Sequence, residues 1–189
     1  MEVTFKNVEN QKIIDSFQKV LKRYKSLKNY EISLVQKPIK SSTMQAQPVV
    51  NFSTLFSGQK QFKINLGIHV RDQKDLLVAE LSEEVLTGWF AHELGHVVDY
   101  QQHSNWSMIA YGLRYLFSGT FRKKVEHDAD YIAISHGFHE EILATKKYIL
   151  EHHLIDEAYK DKIKKYYLPE ADVLTCSKDK VLLEPYLNL

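Results

Sequence analysis

Phe90-Ala91-His92-Glu93-Leu94-Gly95-His96-Val97-Val98-Asp99 is the stretch on which the reading of this chain turns. Its surroundings predict a helix. Ser82 is the expected N-cap, followed by Glu83 and Glu84 in the first turn, where the helix dipole favours acids. Val85, Leu86, Trp89, Phe90, Leu94, Val97 and Val98 recur at spacings of three and four and form a broad apolar face. On such a helix His92 and His96 lie one above the other, so both imidazoles can reach one metal ion. Glu93, rotated by about 100° from His92, is placed to act on water without ligating. Gly95 has no side chain and lets another backbone or a substrate approach closely. The competing reading, an exposed helix with two solvated histidines, fits poorly with so apolar a helix.

A catalytic zinc site takes three protein ligands and leaves one position open. The third candidate lies in Lys124-Val125-Glu126-His127-Asp128-Ala129-Asp130-Tyr131-Ile132-Ala133. Glu126 and Asp130 are spaced i,i+4 on a second predicted helix and face the same way. Glu126 offers an oxygen ligand. Asp130 offers an acceptor for the free ring N–H of a ligand histidine. Two acids on an exposed helix are the plainer alternative, and ligand chemistry after a His-Glu-x-x-His helix favours the metal.

The pair of motifs, His-Glu-Leu-Gly-His followed by Glu-x-x-Ala-Asp-x-x-Ala, resembles the gluzincin zinc metallopeptidases. The closest branch is that of the HtpX-like and CAAX prenyl endopeptidases and their small soluble relatives. The lead-in Glu80-Leu81-Ser82-Glu83-Glu84-Val85-Leu86 and the segment Val49-Val50-Asn51-Phe52-Ser53 are also similar to that family. The likeness runs from about Val49 to Ala133 and is specific only at the motifs. It implies a zincin-like fold with an edge strand beside the motif helix, where a peptide substrate binds extended. The membrane-bound members carry hydrophobic spanning helices; no such run occurs here, so membrane substrates are not implied.

The rest of the chain sets the frame. At 189 residues one domain is expected. It divides into an N-terminal helix and sheet (1–81), the motif and C-terminal helices (82–168) and a tail (169–189). A net charge of +1 implies no general field for nucleic acid. The single cysteine, Cys176, excludes an intramolecular disulfide framework, and with no apolar leader at Met1–Asn7 the expectation is a cytoplasmic protein. Residues 10–27 predict an amphipathic helix built on Ile13, Ile14, Phe17, Val20, Leu21, Tyr24 and Leu27, its lysines a solvated face. A strand is expected through Tyr30, Ile32 and Leu34, and a second within 45–56, starting after Pro48 or interrupted by it. The clearest strand is Phe62 to Val70, where apolar and polar residues alternate; that strand or its neighbour is the expected peptide-binding edge. The apolar stretch from Asn105 to Phe121 reads as a core helix or pocket wall, with an interfacial helix as the less favoured alternative. Helices at 140–153 and 156–167 complete the pattern, and the tail packs as a strand or covers the cleft.

The fold class expected is α+β: a small mixed or antiparallel sheet on the motif helix, with a helical C-terminal half. The function expected is peptide-bond hydrolysis with one Zn2+ on His92, His96 and Glu126, Glu93 as general base and Asp130 orienting a ligand histidine. Asp99 is a weaker orienting candidate. Tyr131, His136 and Tyr186 are available types for oxyanion stabilisation, with no basis for choosing among them. The partner is a peptide or protein substrate, with neither nucleic acid nor a membrane span. A catalytically silent zinc-binding module is the alternative.

Overall fold

The structure is a computed structural model that describes residues 2–71, 73–187 and 189. Four strands form one mixed sheet: β1 (Glu2–Lys6), β2 (Glu31–Gln36), β3 (Met44–Pro48) and β4 (Gln61–Leu66), in the order β1-β2-β4-β3. β1, β2 and β4 are parallel, and β3 runs antiparallel to β4 at the edge. Period-2 alternation decides the faces. Ile32, Leu34, Phe62, Ile64 and Leu66 are buried on one side. On the other, polar rungs cross the strands: Thr4 with Ser33 at 2.8 Å, and Asn65 Nδ2 donating to Gln47 Oε1 at 3.0 Å.

The expected β4 is shorter than its alternation promised: it ends at Leu66, and His69 only bridges to Leu77. It also lies inside the sheet, so the edge strand is its neighbour β3. Pro48 ends β3 rather than starting it. The chain then forms a short helix, α2 (Phe52–Ser57), in the region read as strand. Asn51 starts it: its side chain accepts from Thr54 N while Thr54 Oγ1 accepts from Asn51 N, each at 2.9 Å. Gly58, at φ 69°, closes it.

Helix α1 (Gln11–Leu21) is also shorter than its stripe suggested. Tyr24 leaves helical geometry, at φ −84° and ψ 69°. That turn drives its ring into the core, where the hydroxyl donates to the Ala91 carbonyl at 2.6 Å.

The central element is α3 (Glu83–Gln101), capped by Ser82 as expected. Every residue from Val85 to Val98 is buried, so α3 is a central helix and not an amphipathic surface one. Its neighbours are α1, β3, α5 (Gly119–Ser135) and α6 (His139–Glu151). Two glycines permit the approach. A Cβ on Gly95 would stand 2.5 Å from the Ala129 carbonyl oxygen of α5, and one on Gly88 2.1 Å from the Glu141 carbonyl oxygen of α6. The remaining helices are α4 (Asn105–Phe117), α7 (Glu157–Tyr166) and α8 (Glu170–Lys178), followed by a 3-10 segment, Lys180–Tyr186. The tail is thus helical and packs on α5 and α6. Among the described residues no helix is long and apolar enough to cross a membrane.

Gly88→Ala is expected to destabilise the protein by about 1–3 kcal/mol through overpacking. Gly112→Ala, in α4 with open space around it, is expected to stabilise by about 0.5–1 kcal/mol. Thermal melts of the two variants check the opposite signs.

Candidate metal centre

The close α3–α5 approach at Gly95 sets the centre. His92 and His96, one turn apart on α3, meet Glu126 from α5. His92 Nε2 lies 3.1 Å from Glu126 Oε2 and 3.1 Å from His96 Nε2, and His96 Nε2 lies 3.4 Å from the same oxygen. A tetrahedral ion with bonds of about 2.0–2.1 Å needs donors about 3.3–3.4 Å apart, so this triangle fits one face of such a site. All three residues are buried, both histidines at 6% exposure. That rules out solvated histidines on an exposed helix. Three lone-pair donors turned onto one point away from water call for a cation or shared protons. The group can hold a metal ion.

A second ring of contacts fixes these donors. His92 Nδ1 is 2.9 Å from Asp130 Oδ1. The other Asp130 oxygen accepts from Lys146 Nζ at 2.8 Å and from the Leu168 amide at 3.1 Å. The hydroxyl of Tyr115 on α4 donates to the second Glu126 oxygen. Tyr167 stacks on His92 with centroids 5.2 Å apart, and Tyr100 on His96 at 6.0 Å. His96 Nδ1 has no partner among the described residues.

The charges respond accordingly. Burial raises Asp130, yet Lys146 and then His92 outweigh it and hold the carboxyl at about 2. Burial likewise opposes ionisation of Glu126, but hydrogen bonds from His92 and His96 bring it well below the usual carboxylate range. Burial lowers the pKa of His92, but the bonds to Asp130 and Glu126 prevail and draw it up to about 10. A metal ion would displace that proton.

Glu93 points to the other side of the centre. Burial raises its pKa, only partly offset by His96 and His92. Its Oε2 accepts the Ala46 amide of β3 at 2.5 Å. Ala46 belongs to the outward-facing set of β3: the pairing Gly67 N to Thr43 O and Val49 N to Gln61 O gives the odd-numbered residues to β4. Glu93, His96 and Glu126 line a cleft of about 590 Å³ between this strand edge and the helices α4 and α7, with Tyr115, Lys162 and Tyr167 on its helical side. A smaller cavity on the far side of Glu93 shares Ser42, Met44, Glu93, Lys162 and Tyr167 with it.

No protein-family model, curated protein or solved structure matches this chain. The centre therefore stands on its geometry. All five residues singled out from sequence, His92, Glu93, His96, Glu126 and Asp130, come together. Other candidates do not. Asp99 touches no ligand and accepts from the Tyr111 hydroxyl at 2.5 Å. Tyr131 stacks on Tyr186, Tyr186 donates to Asp128, and His136 stacks on Tyr24; none of the three lines the cleft. Cys176 is buried in α8, outside the cluster. No described residue after 169 lines the cleft, so the tail does not cover it.

Lys146 was missed, although a signal existed. It falls between Ile142 and Ile149 on the apolar face of its helix, where an unpaired lysine would be costly. Tyr115 and Ala46 carry no local signal; only the packing of α4 and the register of β3 bring them in.

His96→Ala should abolish stoichiometric metal binding, read by elemental mass spectrometry. Lys146→Met should weaken metal affinity by about 10- to 100-fold, as losses around ligands typically do. A chelator-competition titration giving unchanged affinity would show that Asp130 needs no help in orienting His92.

Proposed function

We propose that this chain is a zinc-dependent peptide hydrolase of zincin-like architecture, related in mechanism to the gluzincins its motifs resemble. The observation that carries the reading is the tetrahedral-face triangle of His92, His96 and Glu126, with a buried carboxylate, Glu93, at the cleft beside it. A structural zinc site closes all four positions with protein ligands; three ligands beside a cleft belong to the catalytic pattern. When bound, such an ion supplies Lewis acidity toward a carbonyl and acidifies water toward neutral pH.

The chain's own groups supply the rest. Glu93, its pKa raised by burial, is suited to take a proton from the attacking water on a carboxylate oxygen and return it to the departing amine. The outward carbonyls of β3 and the amide of Met44 are open to an extended peptide, which would add as a further strand and take the Ala46 amide once Glu93 turns to the water. Lys162 is suited to polarise the scissile carbonyl. It lines both cavities beside Glu93, is half-buried, and has no hydrogen bond or ion pair among the described residues. Its pKa is lowered by burial, with Glu126 working the other way, as for a cation facing a cleft. A buried donor aimed at developing negative charge contributes strongly to acyl transfer.

Glu93→Gln should retain zinc and lose cleavage of a generic protein substrate such as casein; full zinc with no turnover in either protein would favour a silent zinc-binding module. Lys162→Met should keep its zinc and lower kcat by about 10²–10³-fold with a small change in KM. An unchanged kcat would remove Lys162 from the mechanism.

A further inference from the structure

Helix α4 has two apolar faces, and the cleft uses only one. Met108 and Tyr111 are buried toward the body of the protein, with Tyr115 beside them at the centre. On the opposite side Trp106, Ile109, Leu113 and Phe117 follow one another at helical spacing, with Leu116 alongside, and all are exposed, Phe117 at 84%. The patch continues onto α2. Phe56 meets Trp106 edge-on at 6.1 Å and Phe52 at 4.8 Å, and Phe52 is itself 80% exposed. Seven large apolar side chains on two adjoining helices form a contiguous unpartnered face, beyond the scattered apolar residues normal for a surface.

Charge chooses the occupant. The chain is nearly neutral at +1, but its charges are segregated. The two stretches that carry the patch, residues 32–71 and 100–125, hold nine lysines and arginines and none of the 24 acids; of these Arg71 pairs with Asp156 and Lys124 with Asp128, and the other seven have no acid partner among the described ion pairs. Arg114 lies on α4 itself, and Arg122 Nη2 donates to the Leu116 carbonyl at the helix end. Arg122, Lys123 and Lys124 stand in the first two turns of α5, with no acid in the first turn. Cations there oppose the helix dipole; Lys124 is offset by its i,i+4 pair with Asp128 and Arg122 by the carbonyls it caps, while Lys123 has no such partner among the described residues. A second copy docked about a two-fold axis would bring like charge against like.

We propose that this face, α4 with α2, docks on an anionic membrane surface. At 13 residues α4 is too short to span a bilayer. It matches an interfacial helix: Trp, Phe and Leu enter the headgroup boundary, and the surrounding basic groups meet lipid phosphate. Leu116 borders both the patch and the cleft, so docking holds the cleft mouth against the surface. The inference does not depend on the metal reading, and its test needs neither zinc nor turnover.

The test is co-sedimentation of the full chain with vesicles of phosphatidylcholine alone and of phosphatidylcholine with phosphatidylglycerol. Partition into the anionic vesicles should be at least about tenfold stronger and should weaken at high salt. Replacing Trp106 and Phe117 together by serine should lower it at least about tenfold with an unchanged melting temperature. In a Trp89→Phe background, emission from Trp106 should shift to the blue on binding. Absence of partition, or partition unaffected by the double substitution, overturns the proposal. So does a dimer in sedimentation velocity that the same substitutions dissociate, since the face would then belong to a second copy.

Discussion

Burying charge is the constraint around which this structure is built. Glu93, Glu126 and Asp130 all lie inside, each needing partners to remain there. The partners come from different parts of the chain: the Ala46 amide from β3, the Tyr115 hydroxyl from α4, Lys146 from α6 and the Leu168 amide from the segment after α7. Elements as separate in sequence as β3 and α7 therefore converge on α3 and α5. Asp130 is the most heavily committed, joining His92, an ammonium and a main-chain amide. Removing its carboxylate would leave Lys146 buried and uncompensated, and the imidazole of His92 without a fixed tautomer.

The glycines of α3 make that convergence sterically possible. Gly95 lets the backbone of α5 close in, which is what brings a glutamate from one helix within 3.4 Å of two histidines on another. Gly88 does the same for α6, the helix that delivers Lys146. Both fit their neighbours so closely that the polar cluster and the backbone packing form one device. The proposed reaction would use the result: donors pre-set by packing rather than gathered by the ion.

Much of this was legible because the signals are local. Ser82 caps α3 where it precedes an acidic first turn and an apolar period, and α7 begins at the end of the 156–167 range nearest Asp156, its N-cap. The zinc-ligand candidates and Asp130 were legible because helical spacing alone puts them on shared faces. The misreadings have the opposite character. α1 stops at Leu21 because Tyr24 seeks a partner on α3, sixty-seven residues away. The chain after Pro48 turns helical because Asn51 and Thr54 form a capping box, a signal outvoted by the β-prone residues around it. β1 was overlooked because a five-residue strand gains its definition from pairing with β2. The absence of acids from residues 32–71 and 100–125 was not read from the near-neutral total, because its meaning depends on α2 meeting α4 in space.

The open margin of β3 carries a last consequence. A free sheet edge is a template for unintended strand pairing, and proteins usually blunt it. Here the outward set is Met44, Ala46 and Pro48. Pro48 has no amide hydrogen, and that of Ala46 is held by Glu93. Of three outward positions, then, one retains an amide free of these restraints. At rest this margin is a poor template for a further strand, and only a chain able to draw Glu93 away from Ala46 recovers a second donor there. The same carboxylate that sits beside the metal-binding group thus also occupies one main-chain donor at the border of the sheet.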